Sequence, residues 1–449
     1  MEVVVVGAGI SGLCSGAMLA AEGIRVTVLE SSSRVGGRTA STRYKGHILD
    51  NGFHIMPFYK TSAVYGVFKR LGILDRLDLA RVDRIAFYKD GFHVYPRGLG
   101  GMISTSLVPV RSRIRLLRML LPMAFSSYER AEKLDPVPLS SVTGGLDAVT
   151  GSFFDAVCML AFADRPDNIS LGEFTRTMIR ANPFKGGTSE FAYPNVGGYD
   201  EISRILAEYI TEKGGTVRLS TPVSRVHVES GRVAGITAGE FHECGCVVVS
   251  SPAYLAVTRL FEGGTFDDSI MERAKKLDKT TSVVEAHFCL SERMDARQIV
   301  FPVGEYSAKG IFFISNITPN VSPEGEHLVM AGTPVSAADA DSPSRVAEVV
   351  GEMKEDIESI YPGFSGSLLW EKAKSWRFVE SVAKGPGMVW KDKMPHTTNV
   401  KGLFFVGDAT VSYGIGTDSA AHSSLLCHPK ILGFLSNVVH GAEIRSKAG

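Results

Sequence analysis

The N-terminal segment of the chain contains the pattern that most restricts its fold. Val3 to Val6 is a continuous β-branched run, which indicates a strand buried on both faces of a parallel sheet. The next residues, Gly7 to Gly12, have the sequence GAGISG, and small and apolar residues then recur at helical spacing from Leu13 to Glu22. A strand, a glycine-rich turn and a helix in this order predict the first unit of a Rossmann-like α/β fold.

The glycines of this turn suit a ligand that carries two phosphates. Gly7 permits the tight turn, Gly9 lets the backbone approach a pyrophosphate, and Gly12 lets the helix pack closely on the strand. Ile10 and Ser11 lie at the helix N-terminus, where unpaired N–H groups and the positive end of the helix dipole favour an anion. The turn therefore predicts a dinucleotide site.

A second strand and an acidic residue complete the pattern. Arg25 to Leu29 is strand-like, and Glu30 follows at its C-terminal end. An acidic side chain at this position accepts hydrogen bonds from ribose hydroxyls and repels a 2′-phosphate. Because all the parts fall at the expected spacing, we interpret the segment as a dinucleotide site and not as a simple turn.

The segment Ser31 to Thr39, SSSRVGGRT, distinguishes between dinucleotides. With the preceding unit it resembles the flavoprotein superfamily of amine oxidases, protoporphyrinogen oxidases and phytoene desaturases, in which the arginine of a GG-R segment lies against the FAD phosphates. The resemblance implies this role for Arg38 first and Arg34 second, on a loop freed by Gly36 and Gly37. The guanidinium group of an arginine can bind phosphates with two parallel hydrogen bonds. It adds positive charge where two phosphates carry more negative charge than one helix N-terminus can offset.

Two further segments are similar to parts of the same superfamily. Leu49 to His54, LDNGFH, is similar to its D-x-G-x-H segment beside the flavin. Gly52, followed by Phe53, would let the backbone lie against the ring, as glycine does where a chain approaches a ligand closely. Val223 matches the position whose backbone pairs with the adenine edge.

The last matching segment lies near the C-terminus. Gly407-Asp408 is similar to the Gly-Asp pair that contacts the ribityl and phosphate part of FAD in the superfamily. Gly416 and Thr417 precede a small-residue helix from Ser419 to Leu426, whose N-terminus would point at the N1 and O2 edge of the flavin. That edge becomes anionic on reduction, so a helix N-terminus there favours reduced flavin.

The resemblance implies non-covalently bound FAD in a Rossmann-like FAD-binding domain formed by residues 1–80, 193–278 and 384–449. An α+β substrate domain, with a mixed sheet and helices, would comprise residues 81–192 and 279–383. Covalent attachment through a cysteine ahead of the Gly-Asp pair is not supported, because no cysteine lies between Cys289 and Gly407.

The chemistry of a flavoenzyme is carried mainly by its cofactor, which accepts a hydride at N5. The sequence therefore identifies no required acid or base. Three residues are candidates for a catalytic role. His54 would face the flavin or substrate, Lys279 is the only match to the lysine near N5 in many amine oxidases, and Tyr413 would face the ring.

These features favour an FAD-dependent oxidoreductase of the desaturase or protoporphyrinogen-oxidase kind, acting on a bulky apolar substrate such as an isoprenoid. A flavin amine oxidase is the alternative within the enzymes. Rab GDP-dissociation inhibitors, prenyl-binding proteins without a flavin, resemble the same fold and form an alternative of another class. The sequence does not name the electron acceptor, which leaves oxygen, a quinone or NAD(P).

Composition limits the setting in which the protein acts. The 449 residues predict two or three domains, and 48 basic and 48 acidic residues argue against nucleic-acid binding through phosphates. The six cysteines are too sparse for a disulfide framework, which predicts a reducing compartment. Without a signal-peptide pattern or an apolar run of roughly 20 residues, we expect a cytoplasmic protein.

Two segments admit more than one interpretation. Leu107 to Met123 alternates arginines with apolar residues, which predicts an amphipathic helix. It packs on the core in the favoured interpretation, and in the other it contacts an anionic membrane that supplies a lipid-soluble substrate. His242 to Cys246, HECGC, lacks a second ligand pair at zinc-like spacing, so we expect no metal site.

Overall fold

The computed structural model describes residues 2–57, 60–97, 101, 104–182, 184 and 191–448. Its strands, in chain order, are β1 Glu2–Val6, β2 Arg25–Leu29, β3 Ser41–Tyr44, β4 His47–Asp50, β5 Met56–Pro57, β6 Leu79–Val82, β7 Ile85–Tyr88, β8 Phe92–Val94, β9 Phe191–Pro194, β10 Thr216–Arg218, β11 Arg225–Glu229, β12 Arg232–Ala238, β13 Glu240–Glu243, β14 Val247–Val249, β15 Ser282–Leu290, β16 Ile299–Pro302, β17 Gly310–Phe313, β18 His327–Val335, β19 Leu368–Trp376 and β20 Leu403–Phe405.

The helices are α1 Ile10–Ala21, α2 Ala63–Leu71, α3 Val110–Ala124, α4 Tyr128–Lys133, α5 Ser140–Thr143, α6 Ala148–Phe162, α7 Leu171–Ala181, α8 Glu201–Glu212, α9 Ala253–Arg259, α10 Asp268–Lys276, α11 Ile314–Ile317, α12 Ala337–Ala340, α13 Pro343–Ile360, α14 Phe364–Ser367 and α15 Gly416–Ala448.

A parallel sheet of five strands contains β1 at its centre, in the order β10-β2-β1-β14-β20. Valines of β1 are buried, and α1, α8 and α15 pack together beside the sheet. Since the strands are parallel, their carboxyl ends meet at one edge, where Gly7, Glu30, Ser250 and Gly407 follow four of them. Ligands of such sheets bind at this edge.

A second sheet has seven strands in the order β19-β15-β18-β17-β16-β7-β8, and only its β16–β7 pair is parallel. Strand β15 lies between β18 and β19 and is buried along its whole length. Val284, Ala286 and Phe288 pack against the core that includes Val349 and Met353 of α13. Because side chains alternate across a strand, Glu285, His287 and Cys289 point to the opposite face.

The strands of the two sheets come from different parts of the chain. Every strand of the five-stranded sheet falls within 1–80, 193–278 or 384–449, and every strand of the seven-stranded sheet falls within 81–192 or 279–383. The three-stranded sheet β5-β9-β6 crosses two of the predicted boundaries, since β6 and β9 each contain residues on both sides of one. The division into an FAD-binding and a substrate domain therefore stays a prediction.

The C-terminal helix is longer than predicted, whereas α8 begins at Glu201 after a tight turn. Residues 195–200 form this turn around Gly197, whose φ is 78°. A Cβ at Gly198 would lie 2.3 Å from Oγ of Ser41, so this turn packs closely on β3. The C-terminal helix continues beyond Leu426, through Pro429, to Ala448.

Candidate functional site

The glycine-rich turn connects β1 to α1, and two of its glycines are required by the packing of the fold. A Cβ at Gly7 would lie 2.6 Å from the carbonyl oxygen of Ser250, and a Cβ at Gly12 would lie 2.0 Å from that of Gly7. At Gly9 the nearest atom would be Ser250 Oγ at 4.0 Å. Protein packing therefore does not explain Gly9, for which the sequence predicts the close approach of a phosphate.

Glu30 stands beside this turn and is buried. Its carboxylate accepts hydrogen bonds from the Ala8 N–H at 2.7 Å and the Ser32 N–H at 2.8 Å. The Thr221 N–H donates to the Glu30 carbonyl at 2.8 Å and brings the half-buried Val223 into the same region. The acid, the turn and the segment that contains Val223 are thus neighbours, which is the arrangement predicted for a dinucleotide site.

The Gly36-Gly37 loop lies directly against the glycine-rich turn. The Gly36 N–H donates to the Ala8 carbonyl at 2.8 Å, and Gly36 forms a bridge with Gly9. The structure separates the two arginines of this loop. Arg34 is exposed and donates to the Ser41 carbonyl at 2.8 Å, whereas Arg38 points to the C-terminal segment.

Arg38 forms a bidentate ion pair with Asp408, with nitrogen to oxygen distances of 2.8 and 3.1 Å. The Asp408 carboxylate is buried and also accepts the Ser381 N–H at 2.7 Å. Burial alone would raise the pKa of Asp408, but the charge and hydrogen bonds of Arg38, with the charge of Lys384, hold that pKa well below its ordinary value. The carboxylate is therefore ionised at the pH of cells.

The predicted flavin-side segment is fixed by Asp50. This buried carboxylate accepts hydrogen bonds from Ser41 Oγ at 2.7 Å, the Tyr199 N–H at 3.0 Å and the Tyr193 hydroxyl at 2.6 Å. Gly52 follows with a φ of 102°, a conformation that favours glycine. Asp50 is part of the sequence motif, but its role in holding the loop that contains Gly52 is visible only in the structure.

His54 and Phe53 line the cavity described below. Nε2 of His54 lies 2.9 Å from the Asn51 carbonyl, and its ring stacks on Tyr199 at 4.6 Å. Burial lowers the pKa of His54, which keeps the imidazole neutral at pH 7. Phe53 packs on Phe312 with ring centroids 4.9 Å apart.

The structure does not bring the other two catalytic candidates to the cavity. Lys279 is exposed on the surface ahead of β15 and does not line the cavity. The Tyr413 ring packs on His422, Trp390 and Tyr128, with the His422 ring centroid 4.0 Å away. Its centroid also lies 5.6 Å from the guanidinium carbon of Arg180, a residue that lines the cavity. Because neither Lys279 nor Tyr413 lines the cavity itself, the geometry lends their catalytic roles no support and both stay predictions.

Buried charges that the sequence analysis missed hold the loop ahead of α15. Asp418 pairs with Arg180 and accepts a hydrogen bond from Ser62 Oγ at 2.8 Å. Glu380 pairs with Lys384 at 2.8 Å and accepts the Gly416 N–H at 3.0 Å. These ion pairs are hard to predict from the sequence, because the partner of a charged residue in an apolar segment is visible only in the folded chain.

Further contacts fix the same loop. Thr417 Oγ1 lies 3.1 Å from the Tyr199 hydroxyl. The Gly414 N–H donates to the buried carboxylate of Glu173 at 2.9 Å. Lys393 Nζ donates to the Ser412 carbonyl at 3.0 Å, and burial lowers the pKa of this amine to about 7. The N-terminal end of α15 is therefore held from several sides.

A cavity of about 340 Å³ lies between this loop and the seven-stranded sheet. Its charged and amide-bearing lining residues are Arg38, Asn51, Arg180, Lys309, Glu380 and Asp418. The rest of its wall is largely apolar and aromatic, and includes Phe53, Ile55, Tyr95, Val157, Met159, Phe162, Met178, Phe191, Phe301, Phe312, Trp376, Phe378 and Ile415. The site thus combines several charged side chains with a largely apolar and aromatic wall.

Glu285 is a buried acid of β15 near this wall. Its neighbour across the strand pair is Lys374, whose Nζ donates to Asn51 Oδ1 at 2.8 Å. Burial raises the pKa of Glu285 to about 7. A glutamate within the apolar sequence VVEAHFCL was visible in the sequence, but its burial was not.

The comparisons with known proteins agree with this geometry. The chain belongs to the flavin containing amine oxidoreductases, whose family model matches residues 10–427. It is 22% identical to 15-cis-phytoene desaturase of Solanum lycopersicum over 96% of this chain and 78% of that protein. It is similar to an oxidoreductase from Methanosarcina mazei, with a TM-score of 0.76 and 21% identity over 95% of this chain and 99% of that chain. It is also similar to a putrescine oxidase variant, with a TM-score of 0.72 and 16% identity over 96% of this chain and 98% of that chain.

The family match identifies the protein as an FAD-dependent oxidoreductase, and the neighbouring structures show its Rossmann-like α/β fold. The predicted family, fold class, enzyme class and cofactor are confirmed. Within the described residues, the side chains of residues 242–246 do not form a cluster with metal-ligand spacing. None of the described helices combines the length and apolar character needed to cross a bilayer.

Glu285→Gln tests the raised pKa of this buried acid through the pH dependence of the free energy of unfolding. The folded-state pKa of about 7 lies above the ordinary value of 4.5, so the unfolded chain loses its proton first as pH rises. The free energy of unfolding of the wild type should therefore fall between these two pH values, by on the order of 2 kcal/mol relative to Glu285→Gln. Urea denaturation at pH 5 and pH 8 measures the difference.

Glu371→Gln on β19 is the matched control, because the Glu371 side chain is 40% exposed. It should follow the wild-type pH dependence. Identical pH dependence in Glu285→Gln and wild type would show that the Glu285 carboxyl is ionised as readily in the folded protein as in the unfolded chain.

Proposed function

We propose that this FAD enzyme is a desaturase or dehydrogenase that removes a hydride from a bulky apolar substrate, such as an isoprenoid. The observation that carries the proposal is the cavity wall, which is apolar and aromatic over most of its area. Apolar surface buried from water stabilises an apolar ligand without a matching charge. Its relatives include a phytoene desaturase, which supports the same substrate class.

We propose that FAD is held by the residues predicted from the sequence. Their backbone geometry is compatible with the cofactor, since even a Cβ at Gly9 or Gly37 would meet no protein atom closer than 3.6 Å where the glycine-rich turn and the arginine loop meet. The proposed contacts are Gly7, Gly9, Ile10, Ser11, Gly12, Glu30, Arg34, Gly36, Gly37, Arg38, Gly52, Phe53, Val223, Gly407, Asp408, Gly416 and Thr417.

Bound FAD supplies the hydride acceptor. The residues of the chain exclude water and orient the substrate bond. His54 and Tyr199 form a stacked, rigid wall whose imidazole is neutral, so it adds no charge beside an apolar substrate. Phe53 and Phe312 extend that wall into the apolar part of the cavity.

The charges of the cavity argue against a small cationic amine as substrate. Among the described residues that line it, the carboxylates are Glu380 and Asp418. Lys384 neutralises the first and Arg180 the second. An ammonium group would find no free carboxylate and would lie near Arg38, which is unfavourable in a site of low dielectric constant.

We also propose that α3 contacts an anionic membrane. Leu116 of this helix is buried, which fits packing on the core, but Ile114 and Phe125 are about half exposed. Phe125 pairs with Phe184, which is 75% exposed and follows α7, a helix whose last residues line the cavity. An exposed apolar patch beside exposed arginines suits the surface of a membrane that holds the substrate.

Removal of the proposed phosphate contacts should reduce FAD retention. Arg38→Ala and Asp408→Ala should each weaken FAD binding roughly 10- to 100-fold, because a hydrogen bond to a charged group contributes about 1.5–3 kcal/mol. Arg76→Ala is the control, since Arg76 pairs with Glu212 on the surface. The ratio of flavin to protein absorbance after gel filtration measures retention. Unchanged flavin in both variants would show that these contacts are misplaced.

Anaerobic bleaching of the flavin should identify the substrate class. Polyenes should bleach it, whereas small amines should not. Met178→Trp places a larger side chain in the apolar wall and so narrows the cavity. It should slow bleaching of the flavin by a polyene at least ten-fold without loss of FAD. Met271→Trp on the exposed face of α10 is the control. Bleaching by amines alone would overturn the desaturase proposal and favour an amine oxidase.

Membrane contact predicts selective binding to anionic vesicles. Charge reversal of the exposed Arg111 and Arg118 to Glu should weaken flotation with phosphatidylglycerol vesicles at least about ten-fold, since each basic residue contributes about 1 kcal/mol. Reversal of the exposed Arg232 and Arg259 is the control. Equal losses in both double variants, or equal binding to neutral vesicles, would contradict a specific contact through α3.

A further inference from the structure

Three potential ligand side chains meet outside the cavity, between the β3–β4 hairpin and the seven-stranded sheet. His47 begins β4, Cys289 lies near the end of β15, and Glu326 directly precedes β18. They lie far apart in the sequence. In the folded chain their ligand atoms come within 4.8 Å of one another.

The three atoms form a compact triangle. His47 Nε2 lies 3.4 Å from Cys289 Sγ and 3.3 Å from Glu326 Oε2, and the sulfur lies 3.1 Å from the same carboxylate oxygen. We propose that this triangle is a zinc site. An imidazole nitrogen, a thiolate sulfur and a carboxylate oxygen are each ordinary ligands of zinc.

The size of the triangle fits the proposed ion. Zinc bonds of roughly 2.0–2.3 Å in tetrahedral directions place ligand atoms about 3.3–3.6 Å apart. The sides of 3.1 to 3.4 Å agree with this within a few tenths of an ångström. Small side-chain rotations therefore suffice for coordination.

His47 is already oriented for this role. Its Nδ1 lies 3.0 Å from the Lys45 carbonyl, so a hydrogen bond there places the proton on Nδ1 and the lone pair on Nε2. The ring is buried and packs edge-on against Trp370, 4.9 Å away. A hydrogen bond from the other ring nitrogen is the usual support of a metal-binding histidine.

Charge and access also suit a divalent cation. A thiolate and a carboxylate offset the two positive charges of zinc, while the neutral imidazole adds none. Coordination releases the Cys289 proton to solvent, since the thiolate is the ligand. The Glu326 side chain is 36% exposed, so one side of the triangle is open to water as a fourth ligand.

The site would connect parts of the chain that matter to the cavity. The hairpin that carries His47 continues through Asp50 to Gly52, whereas Cys289 shares β15 with Glu285. An ion between them would hold the hairpin on the second sheet. Bound zinc is therefore expected to stabilise the folded protein, because the unfolded chain lacks the assembled site.

The test uses the full-length, FAD-loaded protein after removal of metals with a chelator. Calorimetric titration with Zn²⁺ alone should show one binding site per chain. In a thermal scan, the bound zinc should raise the midpoint of unfolding. Co²⁺ should give a thiolate charge-transfer band and tetrahedral d–d bands at longer wavelength than the flavin. Cys289→Ser should abolish the charge-transfer band and weaken zinc binding at least ten-fold.

Glu326→Gln is a second variant, because its half-exposed side chain can change without disturbing the core. It should weaken zinc binding with unchanged FAD content. Cys244→Ser in the HECGC segment is the control and should bind zinc like the wild type. Absence of stoichiometric zinc, or a cobalt signature that persists in Cys289→Ser, would overturn the proposal whatever the substrate of the enzyme.

Discussion

The bidentate pair between Arg38 and Asp408 is the interaction on which the arrangement of the site depends. It joins a loop near the N-terminus to a segment near the C-terminus, 370 positions apart. The five-stranded sheet makes this contact possible, because β1 and β20 flank β14 and their carboxyl ends meet at one edge. Both ends of a long cofactor can then be held by residues fixed to the same rigid sheet.

Buried charges continue this arrangement into the cavity. Asp418 and Arg180, Glu380 and Lys384, and Glu173 with the Gly414 N–H all restrain the loop that precedes α15. The net stabilisation from such pairs is small, but removal of one partner leaves an uncompensated charge and is strongly unfavourable. The pairs therefore specify one geometry for the loop. They also neutralise the acids of the cavity, whose remaining wall is largely apolar apart from Lys309.

Much of the cofactor-binding domain could be predicted from the sequence. The β1–α1–β2 unit, Glu30, the Gly36-Gly37 loop and the Gly407-Asp408 pair depend on local patterns, in which each residue type has a conformational or electrostatic reason to be where it is. The catalytic candidates could not be predicted in this way. Lys279 and Tyr413 match family positions only by their place along the chain, and the fold puts Lys279 on the surface and the Tyr413 ring in an aromatic cluster beside Arg180.

The sequence by itself determined the first βαβ unit, the need for a dinucleotide and the family, since these depend on glycines and strands that are adjacent in the chain. Tertiary structure alone decided which charges pair, how apolar the cavity is, and that His47, Cys289 and Glu326 meet. The reason is physical. Local conformation depends on neighbouring residues, whereas burial and ion pairing depend on segments that the two sheets bring together from distant parts of the chain.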